Sequence, residues 1–275
     1  MSQTASSKTS GVVHGKQAFL NRLVLEVRFK NGYLYLDKCG RTVNTIQREQ
    51  VGWLAIDGQS PKGSSMVDAE SKARFNLSSQ KYDLSLDGGD SDGRITDEQV
   101  ERFTNQAEEL HRIVEDLLEL KEYMRLGFRA WYLFGAATED EAVQMVGELT
   151  GMPTPTRLLE AYQAKVSDIT HSFTLACDDR NCRLGFTRVE RSADFDLGAV
   201  TATIDPRRFP KHSRERLLAS LKKRKVEREA FPEFGAMVDF DFYVDDPEEI
   251  RVDRFIVESF ERMLPQLRKA TEKRD

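Results

Sequence analysis

The fold class is decided by residues 95–134, which read ITDEQVERFTNQAEELHRIVEDLLELKEYMRLGFRAWYLF. In the first part of this stretch apolar residues recur at alternating spacings of three and four, which is the period of an amphipathic helix. These residues are Val100, Phe103, Ala107, Leu110, Val114 and Leu117. Either Thr96 or Asp97 can serve as the N-cap. From Leu126 to Phe134 every second residue is apolar, as in a strand with one buried face. The stretch therefore predicts a long helix that passes into a strand.

Strand patterns precede this helix. Apolar and polar residues alternate over 23–29, and the alternation returns at Tyr33 and Tyr35 after Asn31-Gly32. An Asn-Gly pair between two such runs is typical of a two-residue hairpin turn, so the sequence predicts an opening β-hairpin. A short strand at 53–56 and a second hairpin over 75–86 follow.

The order of elements returns in the second half of the chain. A hairpin is predicted over 173–189, and a strand over 237–244. Asp246 and Pro247 then supply an N-cap and a first-turn proline for a final amphipathic helix. Pro265 lacks a backbone donor and should interrupt that helix.

These patterns predict an α+β protein with two halves, each a mostly antiparallel sheet with a long amphipathic helix packed on it. The similar order of elements suggests a duplicated unit, although short β-α successions also recur by chance. The expected organisation is a disordered tail at 1–17, a first unit at 18–135, a helical connector at 136–170 and a second unit at 171–275.

Composition restricts the class of protein. The 275 residues are 39% hydrophobic and carry a formal net charge of −5, so any attraction to phosphate must be local. No apolar run approaches the ~20 residues needed to span a bilayer, which argues against a membrane partner. The three cysteines are too few for a disulfide scaffold, which favours a reducing compartment and a cytoplasmic location.

Motifs for catalysis and cofactor binding are missing from the sequence. It has no Walker loop, dinucleotide fingerprint, nucleophile elbow or HExxH, and its four histidines are scattered. The sequence therefore nominates no cofactor and no nucleophile or base, and it favours a protein that is not an enzyme while leaving an activity open.

A basic segment over 207–228 is the strongest sign of a binding site. Its candidate binding residues are Arg207, Arg208, Lys211, Arg214, Lys222, Lys223, Arg224 and Lys225. Leucines in the segment would anchor a helix and leave the cations to meet nucleic-acid phosphates or an acidic protein surface. Because no aromatic interleaving or nucleic-acid motif accompanies them, a solvated helix face explains the same pattern.

Two acidic pairs are candidate metal ligands. Asp90 and Asp92 lie in a loop that matches part of an EF-hand, but Gly88 and Gln99 occupy positions where a calcium loop has carboxylates, so an exposed turn is preferred. Asp239 and Asp241 lie two apart on a predicted strand and so share one face. They could bind Mg²⁺ or exchange protons, but an antiparallel sheet with one wet face explains the same alternation.

Residues 124–132 and 237–267 resemble an uncharacterised bacterial protein family of about this length that is distributed sporadically among genomes. The resemblance consists of an Arg-x-Gly-x-Arg strand after a long helix and an aspartate-bearing strand before the last helix. It implies no activity or catalytic residue, and it suggests an accessory protein of a mobile-element or phage-defence system.

The function expected from the sequence is interaction with a protein partner or with a second copy of the chain. Two alternatives stay open, which are a nucleic-acid-associated module acting through 207–228 and a metal-dependent enzyme using the acidic strand residues.

Overall fold

One antiparallel sheet forms the centre of the protein in a computed structural model that describes residues 8–50, 52–56, 60–88, 93–190 and 232–271. Its strands are β1 (Ser10–Val13), β2 (Lys16–Phe29), β3 (Trp53–Ala55), β4 (Ser64–Asp68), β5 (Arg74–Leu77), β6 (Lys81–Asp87), β7 (Tyr123–Ala136), β8 (Thr170–Ala176), β9 (Asn181–Glu190) and β10 (Phe234–Asp245). They are ordered β3-β4-β5-β6-β2-β7-β10-β9-β8, and β1 pairs with β2. The long strands β2, β7 and β10 are therefore neighbours at the middle of the sheet.

The helices connect and cover these strands. They are α1 (Leu34–Glu49), α2 (Asp97–Leu118), α3 (Glu139–Thr150), α4 (Thr156–Tyr162), α5 (Val252–Arg262) and α6 (Leu264–Thr271). The predicted start of α2 is confirmed, since Thr96 accepts from the amide of Gln99 and the Gln99 side chain accepts from the amide of Thr96. The α+β class with antiparallel strands and amphipathic helices is likewise confirmed.

Both predicted halves contribute to the same sheet. Strand β7 pairs with β2 along one edge and with β10 along the other, so the second half continues the sheet of the first. The expectation of two separate sheets is corrected, and the duplication is not confirmed. Residue periodicity indicates which side chains face inward, but it carries no information about which strands become neighbours.

The hydrophobic core lies between one face of the sheet and the helices. Phe128 of β7 contacts Phe103 of α2 and Phe260 of α5, with ring centroids 6.4 and 5.3 Å apart. The apolar stripe of α2 is buried in this core. It is therefore not free to form the coiled-coil contact between copies that its heptad-like spacing could also support.

The opposite face of the central strands carries polar residues. Along β7 and β10 the core-facing side chains are buried except for the half-buried Phe234 and Val244, and the alternate residues are half-exposed or exposed apart from Gly127 and Gly235. This is the arrangement of an antiparallel sheet with one wet face that the sequence favoured. We call this side of the sheet the open face.

The hairpin predicted at Asn31-Gly32 is wrong. The chain does turn there, with Asn31 at a φ of 58°, but helix α1 follows instead of a strand. Tyr35, Val43 and Ile46 of α1 are buried at helical spacings. The Asn-Gly pair specifies a turn and does not determine the element that follows it.

Two boundaries also differ from expectation. The sequence predicts a disordered tail at 1–17, but residues 10–13 form β1 and β2 begins at Lys16, while residues 1–7 lie outside the described part of the chain. The helix predicted to begin at Asp246 begins at Val252. The interruption predicted at Pro265 is confirmed, because α5 ends before it and α6 begins one residue ahead of it.

Candidate functional site

The open face gathers arginines, aspartates and aromatic rings where β2, β7 and β10 lie side by side. Strand register places Asp241 opposite Arg129 and Asp239 opposite Trp131, which in turn lies opposite Arg22 of β2. We name this set the arginine–aspartate face. It consists of Arg22, Arg125, Arg129, Trp131, Asp239, Asp241 and Tyr243.

Asp239 accepts hydrogen bonds from two side chains of this face. Arg129 donates from Nε to Asp239 Oδ1 at 2.7 Å and from Nη2 to Oδ2, and Trp131 Nε1 donates to Oδ1 at 3.0 Å. The hydrogen bond and charge of Asp239 raise the pKa of Arg129 above its usual value, so the guanidinium stays charged. A bidentate pair of this kind fixes the orientation of the arginine as well as its charge.

Trp131 holds two guanidinium groups. The guanidinium carbon of Arg22 lies 4.6 Å from the Trp131 ring centroid, and that of Arg129 lies 5.3 Å from it. Arg22 Nε is also 3.1 Å from Asp87 Oδ1. Stacking on an aromatic face and pairing with a carboxylate together limit the rotamers available to each arginine.

Arg125 lies across Gly127 toward Tyr243. Its guanidinium carbon is 4.0 Å from the Tyr243 ring centroid, and a Cβ at Gly127 would lie 3.5 Å from Arg125 Nε. Arg125 Nη2 is 3.4 Å from Asp241 Oδ2, a long contact for a charged pair. Within the described residues the buried Arg125 Nε has no hydrogen-bond partner.

Asp241 is the less well compensated of the two carboxylates. Burial raises the pKa of Asp241 above its usual value, although Arg125 and Arg129 act in the opposite direction. The charged form of Asp241 is therefore less favoured on this face than it would be in water.

In two ion pairs of the open face the cation is the outer group. The Arg129 side chain is 45% exposed and that of Asp239 17%, and Arg28 is likewise more exposed than Glu26. In the other two pairs it is not, since Arg125 and Asp241 are equally buried and Asp87 is more exposed than Arg22. Arg129 and Arg28 are therefore the guanidinium groups that a carboxylate supports from beneath.

The predicted metal ligands fall into two groups. Asp239 and Asp241 do share one face, but Arg129 and Trp131 use the oxygens of Asp239 that a cation would need. In the described ranges no group of three or more His, Cys, Asp or Glu is placed to hold a metal ion. Asp90 and Asp92 lie outside the described residues.

The predicted basic binding segment also lies outside the described residues. This applies to Arg207, Arg208, Lys211, Arg214, Lys222, Lys223, Arg224 and Lys225. Their role as a nucleic-acid or partner site stays a prediction.

Sequence reasoning did not nominate the arginines of the open face as binding residues. The Arg-x-Gly-x-Arg pattern of β7 could have indicated them, since a period of two places Arg125, Gly127 and Arg129 on one side of a strand. Arg22 had no such signal. Its place beside Trp131 depends on an irregularity in the pairing of β2 with β7 between Leu20 and Arg22.

Comparison with known proteins adds no assignment: no family model matches the chain, and no curated protein matches it. The resemblance carried by residues 124–132 and 237–267 gains no support from these searches. Among the helices that the structure describes, none combines the length and apolar composition needed to cross a bilayer.

Proposed function

We propose that the protein is a non-enzymatic binding protein that docks the open face of its sheet on an acidic surface of a protein partner. The observation that carries this proposal is the set of three guanidinium groups, from Arg22, Arg125 and Arg129, held in place by two aromatic rings. Arginine presents several N–H donors in a rigid plane that matches carboxylate geometry.

Preorganisation makes these arginines suited to binding. Side chains that are already fixed lose less conformational entropy when a partner arrives, and arginine and aromatic residues are common among the residues that dominate interface energies. Arg129 uses Nε and Nη2 on Asp239, and its side chain is 45% exposed. An incoming carboxylate could accept from the remaining Nη1 group at little reorganisation cost.

The alternatives have less support from the described residues. The nucleic-acid alternative depends on the basic segment 207–228, which lies outside the described residues. The open face offers no second site for a nucleic-acid backbone, because that needs a marked excess of positive charge and carboxylates intersperse the arginines here. The metal-dependent enzyme would need Asp239, which is committed to Arg129 and Trp131. A role in a mobile-element or phage-defence system rests on the resemblance alone.

The test is comparative affinity purification from cells that naturally make the protein. Arg125→Ala and Arg129→Ala are compared with the wild type and with Arg41→Ala, which removes an exposed arginine from helix α1 and leaves the open face intact. We expect a partner that the wild type and Arg41→Ala retain and that both open-face variants lose. Surface plasmon resonance with the purified partner should then show affinity reduced about tenfold or more.

Two controls accompany this experiment. Circular dichroism must show that each variant is folded, and binding measured from 50 to 300 mM NaCl must weaken with salt if charge attraction is involved. A partner set that is unchanged in both open-face variants would reject the proposal.

A further inference from the structure

A second basic feature lies at one end of the sheet, where a cleft of about 630 Å³ opens between the turn from β2 to α1, the turn from β5 to β6 and the start of β7. Its lining includes Arg28, Lys30, Asn31, Tyr33, Lys81 and Met124. The volume falls in the ~300–1,000 Å³ range of small-molecule sites.

A row of like charges reaches this cleft across three neighbouring strands. Lys81 of β6 lies opposite Arg28 of β2, and Arg28 lies opposite Arg125 of β7. Like charges directly opposite one another destabilise a sheet. Glu26 accepts from Arg28 at 2.7 Å and from Lys81 at 2.7 Å, so one carboxylate serves two cations.

Lys30 adds a third cation to the lining. Its Nζ is 3.9 Å from Glu122 Oε2, and both side chains are about half-exposed or more. Such a contact is worth little and leaves Lys30 available. Among the described residues Glu26 is the carboxylate closest to these three cations, while Asp83 is 3.8 Å from Lys81 and Glu122 is 3.9 Å from Lys30, and none of the three carboxylates lines the cleft.

An aromatic ring stands beside these cations. Tyr33 is 69% exposed and precedes α1 without making a side-chain capping bond. Met124 on the opposite rim is 47% exposed. An exposed tyrosine next to cations offers a flat surface for stacking an aromatic ring, and the polar Asn31, Ser79 and Gln80 of the lining can hydrogen-bond its edge.

The wall of the cleft is fixed by close packing. A Cβ at Gly32 would lie 2.4 Å from Phe29 Cε2 and 2.4 Å from the Ser79 carbonyl oxygen. Glycine therefore lets the turn before α1 sit directly against the β5–β6 turn, where Ser79 and Gln80 also line the cleft.

We propose that this cleft binds a nucleotide, with its phosphate group between Arg28, Lys30 and Lys81 and its base on the ring of Tyr33. Ammonium and guanidinium groups are the usual partners of phosphate oxygens, and base stacking on an aromatic side chain tolerates any base. The site is additional to the proposed partner-binding function, because it depends on side chains that the partner-binding test leaves intact.

Isothermal titration calorimetry of the full chain with the adenosine, guanosine, cytidine and uridine 5′-monophosphates tests the proposal. Lys30→Glu removes a cation that would contact the phosphate group, and Tyr33→Ala removes the ring on which the base would stack. Lys165→Glu and Tyr162→Ala are matched controls, since Lys165 is exposed on another part of the surface and Tyr162 is 76% exposed. We expect at least one nucleotide to bind, about tenfold weaker binding in each cleft variant, and unchanged binding in both controls.

Adenosine and inorganic phosphate are then titrated singly, since adenosine lacks the phosphate group and inorganic phosphate lacks the base. Each should bind at least about tenfold more weakly than the best nucleotide, because each can use only the aromatic or only the cationic part of the cleft. The proposal is overturned if no nucleotide binds at 5 mM, if either fragment binds as tightly as the nucleotide, or if the cleft variants bind like their controls.

Discussion

His111 of α2 is a buried histidine with an incomplete set of hydrogen bonds. Tyr82 Oη and His111 Nδ1 form a buried hydrogen bond at 2.9 Å, and burial raises the pKa of Tyr82, so its hydroxyl keeps its proton. His111 Nε2 has no hydrogen-bond partner within the described residues, and Glu115 Oε1 is 4.0 Å away. The Tyr82 contact makes His111 a hydrogen-bonded structural histidine of the core.

Acid should destabilise the fold through this residue. Burial lowers the pKa of His111 below the usual histidine value of 6.5, so the unfolded chain binds this proton more tightly than the folded one. The stability that neutral His111 contributes is present above pH 6.5 and is lost as the pH falls through the lower pKa of the folded state. We expect His111→Gln to be about 1–2 kcal/mol less stable at pH 8 and to lose less stability than the wild type on acidification.

Urea unfolding at intervals from pH 8 to pH 5 measures the slope of the free energy of unfolding against pH. His14→Gln is the control, since His14 is exposed and should leave the slope of the wild type unchanged. Equal slopes for His111→Gln and the wild type would assign the acid sensitivity to other groups.

Two glycines, one just before helix α1 and one within it, should respond in opposite ways to substitution by alanine. At Gly32 an added Cβ meets Phe29 and the Ser79 carbonyl at 2.4 Å, whereas at Gly40 within α1 nothing lies within 4 Å. We expect Gly32→Ala to destabilise the protein by about 1–3 kcal/mol through overpacking. Gly40→Ala should stabilise it by about 1 kcal/mol because alanine is the better helix former.

Chemical denaturation of both variants beside the wild type distinguishes these effects. Similar free energies of unfolding for the two variants would show that the turn before α1 adjusts to a side chain. It would also show that the cleft wall is less rigid than its packing implies.

Elements with long regular patterns could be predicted from the sequence, and those decided by tertiary contacts could not. The capped α2, the strand at 126–134 and the hairpin over 173–189 have periodic signals that burial enforces. Helix α1 was missed because Asn31-Gly32 gave a strong local turn signal, while its buried residues were spaced too sparsely to outweigh it. The shared face of Asp239 and Asp241 followed from a period of two, but Arg22 joined them only through strand register.

The stability of the whole molecule depends on the pairing of β7 with β10, which we call the seam. All 12 residues of β10 are paired with β7, from Phe234 opposite Ala136 to Asp245 opposite Arg125. Contacts between α5 and the rest of the core reinforce this seam, as at Phe260 and Phe128. Cutting the chain between the two predicted halves would expose one edge of β7 and the core side chains that α5 covers.

We therefore expect the fragment 1–150 to fail to fold as a monomer. Phe128 and Phe134 are fully buried in the whole chain, and without β10 and α5 these side chains would border on water next to an unpaired strand edge, which favours aggregation. Size-exclusion chromatography and amide hydrogen exchange of the isolated fragment measure this outcome. Co-expression with 151–275 is the control, because it supplies the missing strand and should restore the exchange protection of β7. A monomeric fragment that unfolds cooperatively by itself would instead show that the first half is an independent unit and that the continuous sheet is an association of two domains.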